Sequence, residues 1–345
     1  MKEESLEFLC KANKTYIKNK IPEFWTAEIY SFGINIRAYG FYPKFLPLLV
    51  YTDHSPAMTT EIPAPHELNS KAFVQFYHDP KMVEKYKTIS KKPCFNLYSP
   101  FVFYRRKNRI EINHDAKGTI AFPAHSTGAT ENLMDWNIYI KQLKDLPEKF
   151  HPISICLHMH DVNRGLHKIF MQNGFDVYTA GHADDDRFAE RFYDILKKFK
   201  YSTSNLIGSY TFYTVEMDIP FFVYGEHPKY YNNWDPNIEK GKYESYKQAP
   251  KYIFTENLFK EISTTITKDQ KFFVEDCLGL KSGVSRFKMF IILYGCFFKY
   301  CIIKFIKLCN SLSNPFNFVK NISKIIKKNT RPIRRKILNI LGLNK

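Results

Sequence analysis

The sequence lacks the short motifs that identify several common enzyme classes. It contains no G-x-S-x-G, H-E-x-x-H, Walker or G-x-G-x-x-G pattern, and these patterns are typical of α/β-hydrolases, zinc proteases, ATPases and dehydrogenases. Their absence argues against those classes. Glycine and proline are also sparse, at 14 and 18 of 345 residues, whereas 44% of the residues are hydrophobic and 17% aromatic. Such a composition excludes a disordered or fibrous chain and is sufficient for two folded domains.

Paired cysteines and an apolar leader are missing as well. The seven cysteines include no C-x-x-C pair and are spaced irregularly along the chain. An odd, scattered set indicates reduced thiols in a cytoplasmic protein rather than a disulfide framework. The opening segment MKEESLEFLCKANK has no apolar core of the kind that a signal peptide needs, so we expect no secretory leader.

Acidic residues are absent from the C-terminal part of the chain. Between Cys277 and Lys345 there are 15 of the 51 lysines and arginines and no aspartate or glutamate. The rest of the chain holds the other 36 basic residues and all 34 acidic residues, so the tail supplies +15 of the net charge of +17. Because the globular part is close to neutral, the composition argues against a nucleic-acid-binding domain. The basic surface belongs to a C-terminal appendage.

The same appendage is apolar between Lys288 and Leu308. Lysines interrupt this run and leave Met289–Phe298 as its only uncharged stretch, about half of the ~20 residues that a membrane span needs. Basic segments follow at Lys320–Lys328 and Arg331–Lys336. We therefore expect residues 286–345 to form amphipathic basic helices that lie on an anionic membrane surface.

Strand-like and helix-like segments alternate regularly after Pro152. Apolar runs predict strands at Ile153–Met159, Phe175–Thr179, Tyr201–Thr203 and Pro220–Tyr224, with helices between them at Arg164–Gln172, Asp186–Lys200 and Ser209–Met217. A less regular region before them predicts strands at Leu46–Thr52, Ala72–Tyr77, Cys94–Leu97 and Thr119–Phe122. Strands separated by helices indicate an α/β fold with parallel sheets. In such folds the ligand binds beyond the carboxyl ends of the strands.

One strand-to-helix turn combines four small polar side chains. Ser202, Thr203, Ser204 and Asn205 stand where a strand is expected to end, and Gly208 follows before the next helix. Hydroxyl and amide donors beside the positive end of a helix dipole favour a phosphate group. The same residues are also common helix caps, and this alternative stays open.

Two earlier strand ends carry ionisable groups. His125, Ser126 and Thr127 form a donor-rich loop, in which the imidazole could pair with a phosphate or accept a proton. Asp53 and His54 follow another strand, and one of them could activate a sugar hydroxyl. A satisfied turn explains the first group equally, and local Asx-turn chemistry explains the aspartate.

Further histidines and charged residues lie in the regular part of the chain. His158 and His160, placed on one face of a strand, and His182 would supply ligands for a metal. We favour instead a place for His182 at the nucleotide-binding edge. Arg187 could add positive charge to that edge, and Glu216 could accept hydrogen bonds from a ribose or sugar diol, although an ordinary exposed helix position also explains a glutamate.

Three of these segments resemble a known enzyme group. Asp53-His54-Ser55, Thr119 to Thr127, and Tyr178 through Phe188 to Gly208 are similar to GT-B-type glycosyltransferase-like proteins of bacterial surface polysaccharide synthesis, both capsular and lipooligosaccharide. The group is distantly similar to GT-B sialyltransferases and Kdo-type capsule transferases. Here His227-Pro228 follows the serine-rich turn instead of preceding it, so the role of the sialyltransferase His-Pro motif is not transferred.

The resemblance implies two Rossmann-like domains that face each other across a cleft, with no metal and no cofactor required. We expect an acceptor domain at 1–148, a donor domain at 149–258, a helical connection at 259–285 and the basic tail at 286–345. The predicted function is transfer of a sugar from a nucleotide sugar to a membrane-linked saccharide at the cytoplasmic face of the bacterial membrane. The predicted catalytic residues are Asp53, His54 and His125. The predicted donor-binding residues are Ser126, Thr127, His182, Arg187, Ser202, Thr203, Ser204, Asn205, Gly208 and Glu216.

Other functions remain compatible with these residues. A nucleotide-sugar epimerase or related hydrolase would use the same fold on a soluble substrate. A metal-dependent hydrolase would use His158, His160 and His182 as ligands. A non-catalytic subunit of a polysaccharide assembly complex would need none of the catalytic groups.

Overall fold

The computed structural model describes residues 2–11, 22–53, 56, 58, 65–235, 240–243 and 249–312. The chain divides into two compact units, Met1–Leu293 and Tyr294–Lys345. The strands are β1 (Val50–Thr52), β2 (Val74–Tyr77), β3 (Cys94–Asn96), β4 (Thr119–Ala121), β5 (Thr130–Asn132), β6 (Ile153–Cys156), β7 (Asp176–Tyr178), β8 (Tyr201–Ser204), β9 (Phe221–Val223), β10 (Tyr230–Asn232) and β11 (Gly241–Tyr243).

Helices connect most of these strands. They are α1 (Glu3–Cys10), α2 (Phe32–Tyr39), α3 (Pro65–Leu68), α4 (Pro80–Ile89), α5 (Pro100–Lys107), α6 (Trp136–Lys144), α7 (Met159–Asn163), α8 (Leu166–Gln172), α9 (Phe188–Leu196), α10 (Ser209–Glu216), α11 (Pro250–Phe259), α12 (Lys268–Cys277) and α13 (Arg286–Leu312). Two 3-10 turns, Pro22–Ala27 and Glu148–Phe150, complete the set among the described residues.

The first sheet is parallel and contains β1, β2 and β3 in that order. Its helices begin with sequence signals that the chain carries locally. Asp79 caps α4 by accepting the N–H of Lys81 at 2.8 Å, and Ser99 caps α5 just before Pro100. A capping side chain followed by proline at the first helical position favours a helix start.

The second sheet is also parallel and has the strand order β7-β6-β4-β8-β9. On one of its faces, Tyr139 and Leu143 of α6 and Phe170 of α8 pack with Ile155 and Phe222 of the sheet in one buried cluster. Burying each such side chain contributes about 1.5–3 kcal/mol. The predicted α/β fold class with parallel sheets is confirmed, and the eight predicted strands are all present, mostly a residue or two shorter.

The position of β4 differs from the expected organisation. This strand lies in the range 1–148, yet it pairs with β6 and β8 in the middle of the second sheet. The division between the two parallel sheets therefore comes before Thr119. Strand order depends on contacts between distant segments, which the local hydrophobic pattern does not contain.

A third, antiparallel sheet joins β5, β10 and β11. Two of these strands and the start of α11 at Pro250 fall within 226–254, a segment rich in Tyr, Asn, Pro and Lys whose sequence pattern predicts an irregular connection. Helices α2 and α5 were also not predicted. A buried ion pair between Arg37 of α2 and Glu28 fixes α2, with two N–H···O contacts of 2.8 Å.

Candidate functional site

Four imidazoles meet at the carboxyl edge of the second sheet. His125 follows β4, His158 and His160 follow β6, and His182 follows β7. The ring centroids of His125 and His158 lie 4.3 Å apart, and those of His158 and His160 lie 5.0 Å apart. All four side chains are half-buried. We call these four residues the histidine edge.

Hydrogen bonds fix the tautomers of two of these rings. The Nδ1 of His125 lies 2.8 Å from the carbonyl oxygen of Ser126, and since a carbonyl can only accept, this nitrogen carries the hydrogen. The Nε2 of His125 is then the basic nitrogen. In His158 the Nδ1 accepts the N–H of His160, so the Nε2 carries the hydrogen and lies 3.3 Å from the hydroxyl of Tyr30.

The electrostatics of the histidine edge favour an anion. Burial lowers the pKa of His160, and the positive charges of His125, Arg164 and His182 lower it further. Each of these groups therefore disfavours a second positive charge nearby, and a bound anion would relieve that repulsion. Burial, with the charge of Asp184, raises the pKa of Tyr30 to about 12, which keeps its hydroxyl protonated as a donor.

The loop after β4 is held by its own polar side chains. The Ser126 N–H donates to Asp161 Oδ1 at 3.1 Å, and the Ser126 Oγ accepts the N–H of Asn132 at 3.1 Å. The Thr127 Oγ1 accepts backbone N–H groups from Ala129 and Thr130. Ser126 and Thr127, predicted to bind the donor, thus shape the loop that presents His125.

The serine-rich turn does not offer the free donors that the sequence suggested. Ser202, Thr203, Ser204 and Asn205 are buried, and the three hydroxyls donate to the carbonyl oxygens of Pro220, Phe222 and Phe122. The Asn205 Oδ1 accepts the Ala124 N–H at 2.9 Å, and its Nδ2 donates to the Glu226 carbonyl oxygen at 2.8 Å. These side chains join neighbouring strands, so their predicted role as phosphate donors is corrected.

The expected placement of two loops across a cleft is also wrong. The His125 loop and the Ser202–Asn205 turn follow β4 and β8, which are neighbours in one sheet, and the hydrogen bond from Ala124 to Asn205 links them directly. The segment before α2 provides one of the contacts between the two parallel sheets. There the Tyr30 N–H donates to the Ala183 carbonyl oxygen, and the Ser31 Oγ donates to that of Asp185.

Two other predicted donor-binding residues already have hydrogen-bond partners within the protein. Gly208 precedes α10, and its N–H donates to the Thr211 Oγ1 at 3.3 Å. Glu216 ends α10, is buried, and accepts from Arg105 and Arg106 at 2.6–3.0 Å. Because α10 starts at the carboxyl edge and ends at the opposite edge of the sheet, this carboxylate lies far from the histidine edge. The prediction that Glu216 accepts hydrogen bonds from a ribose or sugar diol is therefore corrected.

Arg187 is exposed and forms an ion pair with Glu190 one turn further along the helix, at 2.6 Å. An ion pair of this exposed kind contributes little to stability. Nothing in its contacts directs the guanidinium toward the histidine edge, so its proposed electrostatic role at the donor has no support in the geometry.

Asp53 forms a pair that the sequence did not suggest. Its carboxylate accepts the backbone N–H of His78 at 3.1 Å and the Nδ1–H of the same residue at 2.7 Å. Both side chains are buried at the carboxyl edge of the first sheet. Asp53 is thus committed to His78 and is not the free base that we expected, and His54 lies outside the described residues. The signal that could have found His78 is its own position directly after the predicted strand Ala72–Tyr77.

The histidines do not converge as metal ligands would. His158 caps α7 and His160 lies within it, so they do not share a strand face. Among the residues that the structure describes, the group with closely spaced ligand atoms is Glu3, Glu7 and His167. Lys168 already pairs with the first of these carboxylates at 3.1 Å. This geometry does not support a metal site at the histidine edge.

A cavity and an exposed aromatic ring adjoin the histidine edge. The cavity has a volume of about 190 Å³ and lies between the loop after β4, strand β5, the start of α6 and helices α7 and α8. On the other side, a Cβ added to Gly128 would lie 3.8 Å from the ring of Trp234 and 3.9 Å from the ring of His160. The Trp234 side chain is 68% exposed.

Helix α13 is a single 27-residue helix from Arg286 to Leu312. By length and composition, its part Arg286–Asn310 could cross a membrane, and most of that part is exposed. Exposed apolar side chains recur along one side of it at Phe287, Ile291, Phe298, Ile302 and Phe305. At 3.6 residues per turn, Lys307 projects from the opposite side, while Lys299 and Lys304 project from the two flanks of this row. The predicted basic segments beyond it lie outside the described residues.

Comparison with solved structures shows a partial likeness of fold. The structure of UDP-GlcNAc 2-epimerase from Neisseria meningitidis bound to UDP-GlcNAc is similar over 69% of this chain and 66% of that chain, slightly less than two thirds of the epimerase, with 11% identity and a TM-score of 0.33. No family model and no curated protein matches the sequence. At so low a TM-score, function has to be argued from the residues of this chain.

Proposed function

We propose that this chain is a glycosyltransferase that binds a nucleotide sugar at the histidine edge and transfers its sugar to a saccharide acceptor at a membrane surface. The observation that carries the proposal is the convergence of His125, His158, His160 and His182 at the carboxyl edge of a parallel sheet, where ligands of such sheets bind. Imidazole N–H groups, with the Arg164 guanidinium nearby, suit the phosphates of a nucleotide.

In this mechanism His125 acts as the general base. Its Nδ1–H is fixed on the Ser126 carbonyl oxygen, which leaves the Nε2 lone pair to accept a proton from an acceptor hydroxyl. His160, together with the nearby Arg164, would stabilise the negative charge that grows on the leaving phosphate, a task that depends on preorganised positive groups. The chain's own residues supply both functions in this mechanism.

The membrane contact falls to α13 and the basic tail. The apolar row on α13 would lie among lipid acyl chains, while the lysines on the flanks of this row and opposite it, and the many positive charges that follow, would bind anionic headgroups. A tail of this kind holds the enzyme beside a lipid-linked acceptor. We place the protein on the inner face of the bacterial cytoplasmic membrane.

Calorimetric titration with UDP-glucose, GDP-mannose and CMP-sialic acid tests the binding site. We expect one of them to bind the wild-type protein, and we expect His160→Gln to weaken that binding about tenfold or more. His114→Gln is the matched control, because His114 is exposed and lies on the loop before β4. Equal affinities of the wild type and His160→Gln would contradict the site.

Product analysis separates the transferase from its rivals. With the tightest-binding nucleotide sugar, a transferase releases nucleotide only when a membrane glycolipid fraction is present. A hydrolase releases nucleotide without any acceptor, an epimerase changes the sugar while it remains attached, and a non-catalytic subunit does none of these. Release that does not depend on the acceptor would overturn the transferase assignment.

A further inference from the structure

A buried carboxylate oxygen lacks a hydrogen-bond partner beside the histidine edge. Asp161, on α7, has 2% of its surface exposed, and its Oδ1 accepts the Ser126 N–H at 3.1 Å. Its Oδ2 is buried and has no hydrogen-bond partner within the described part of the chain. Buried polar atoms are nearly always paired, so an unpaired carboxylate oxygen indicates a missing donor. Burial also raises the pKa of Asp161, against the lowering effects of the His125 charge, of hydrogen bonding from the backbone and side chain of Ser126, and of the Arg164 charge.

Asp161 lies in the wall of the 190 Å³ cavity. A water molecule occupies about 30 Å³ of liquid, so the cavity has the volume of about six waters, which is the scale of one sugar ring. Trp136, Leu166 and Ile169 provide apolar wall, and Asp161 and Glu131 provide carboxylates. An aromatic ring with a few placed acceptors suits a sugar, which has apolar C–H faces and hydroxyl donors.

The cavity lies beside the histidine edge, although none of the four histidines lines it. Two of its lining residues directly follow histidines along the chain, Asp161 after His160 and Ser126 after His125. Arg164 lines it as well and donates to the Thr127 carbonyl oxygen at 2.8 Å. A group bound in the cavity would therefore lie close to phosphates bound at the histidines.

We propose, resting on the function proposed above, that this cavity binds the sugar of the nucleotide-sugar donor, with the Asp161 Oδ2 accepting a hydrogen bond from a sugar hydroxyl. Such a bond is charge-assisted, short and strong, and it would supply the donor that the carboxylate oxygen lacks. The cavity then distinguishes a nucleotide sugar from a free nucleotide. It would also orient the sugar against the His125 Nε2.

Paired titrations test this role. For each nucleotide sugar of the panel, the affinity is compared with that of its free nucleotide: UDP-glucose with UDP, GDP-mannose with GDP, and CMP-sialic acid with CMP. We expect Asp161→Asn to reduce the gain in affinity that the sugar provides by about tenfold, and because this gain is the ratio of the two affinities, any change that the variant causes in the affinity for the free nucleotide cancels. The control is Asp115→Asn, an exposed carboxylate before β4, which should change neither.

A second variant tests the same site if Asp161→Asn fails to fold. Ile169 lines the cavity and is 37% exposed, so Ile169→Trp can fill the cavity while leaving the carboxylate intact. Ile169→Trp should also remove the gain in affinity that the sugar provides over the free nucleotide. An unchanged gain in a folded variant overturns the sugar site while leaving the histidine edge standing. If no nucleotide binds the wild type, the proposed function fails and the sugar site with it. Binding of a free saccharide in the absence of nucleotide would assign the cavity to the acceptor and overturn the proposal.

Discussion

Lowering the pH from about 8 to about 6 should tighten the binding of a nucleoside diphosphate to this protein. The pKa of the free His160 imidazole is lowered by burial and by the charges of His125, Arg164 and His182. At neutral pH the ring is therefore mostly neutral in the free protein. A bound diphosphate favours the imidazolium and raises that pKa, so binding takes up a proton. Affinity then rises as pH falls, and levels off once the free protein is protonated too.

The magnitude follows from the attraction between a protonated ring and a bound phosphate. At a separation of about 5 Å, two unit charges interact by about 3 kcal/mol at an effective dielectric constant of about 20. Because the rings are half-buried, solvent screening reduces this to about 1–2 kcal/mol. The dissociation constant should therefore fall roughly five- to thirtyfold per protonated ring.

Calorimetry in two buffers of different ionisation enthalpy measures both the affinity and the proton uptake. His160→Gln should weaken binding at low pH and remove part of the proton uptake, whereas His114→Gln should behave as the wild type. Titration with the uncharged nucleoside should show no pH dependence. A diphosphate affinity that is constant or that increases with pH would refute the electrostatic assignment of the histidine edge.

Three further variants test the structural assignments. Asn205→Ala should cost about 2–3 kcal/mol in chemical denaturation, because it leaves buried backbone groups without partners, and it should not change nucleotide affinity beyond the loss of folded protein. Glu28→Gln should destabilise the fold by about 3–5 kcal/mol, since it leaves a buried arginine without its counter-charge, and a midpoint equal to the wild type would exclude this. Removing residues 294–345 should abolish sedimentation with anionic liposomes and lower the unfolding midpoint slightly, because the buried Cys296 is lost. A truncation at 286 removes the buried Met289 and Leu293 as well, and should lower that midpoint further.

The strand ends could be recognised from the sequence because they depend on local signals. Each short apolar run, followed by a polar or turn-forming residue, defined a strand of the first or second sheet, and His125 and His182 were noted at such ends. The basic tail was equally visible, since it needs only a count of charges along the chain. Periodicity and composition are properties of short segments, and tertiary contacts rarely reverse them at strongly patterned sites.

Which strand ends meet was decided only by the tertiary structure. The insertion of β4 between β6 and β8 brings His125 onto His158, and the hydrophobic pattern of a strand does not encode its neighbours. In the same packing, the side-chain donors of Ser202–Asn205 form hydrogen bonds to backbone carbonyl oxygens of neighbouring segments. This packing also pairs Asp53 with His78, 25 positions away. Sequence reveals which side chains have chemistry to offer, whereas burial and pairing determine which of them remain available to a ligand.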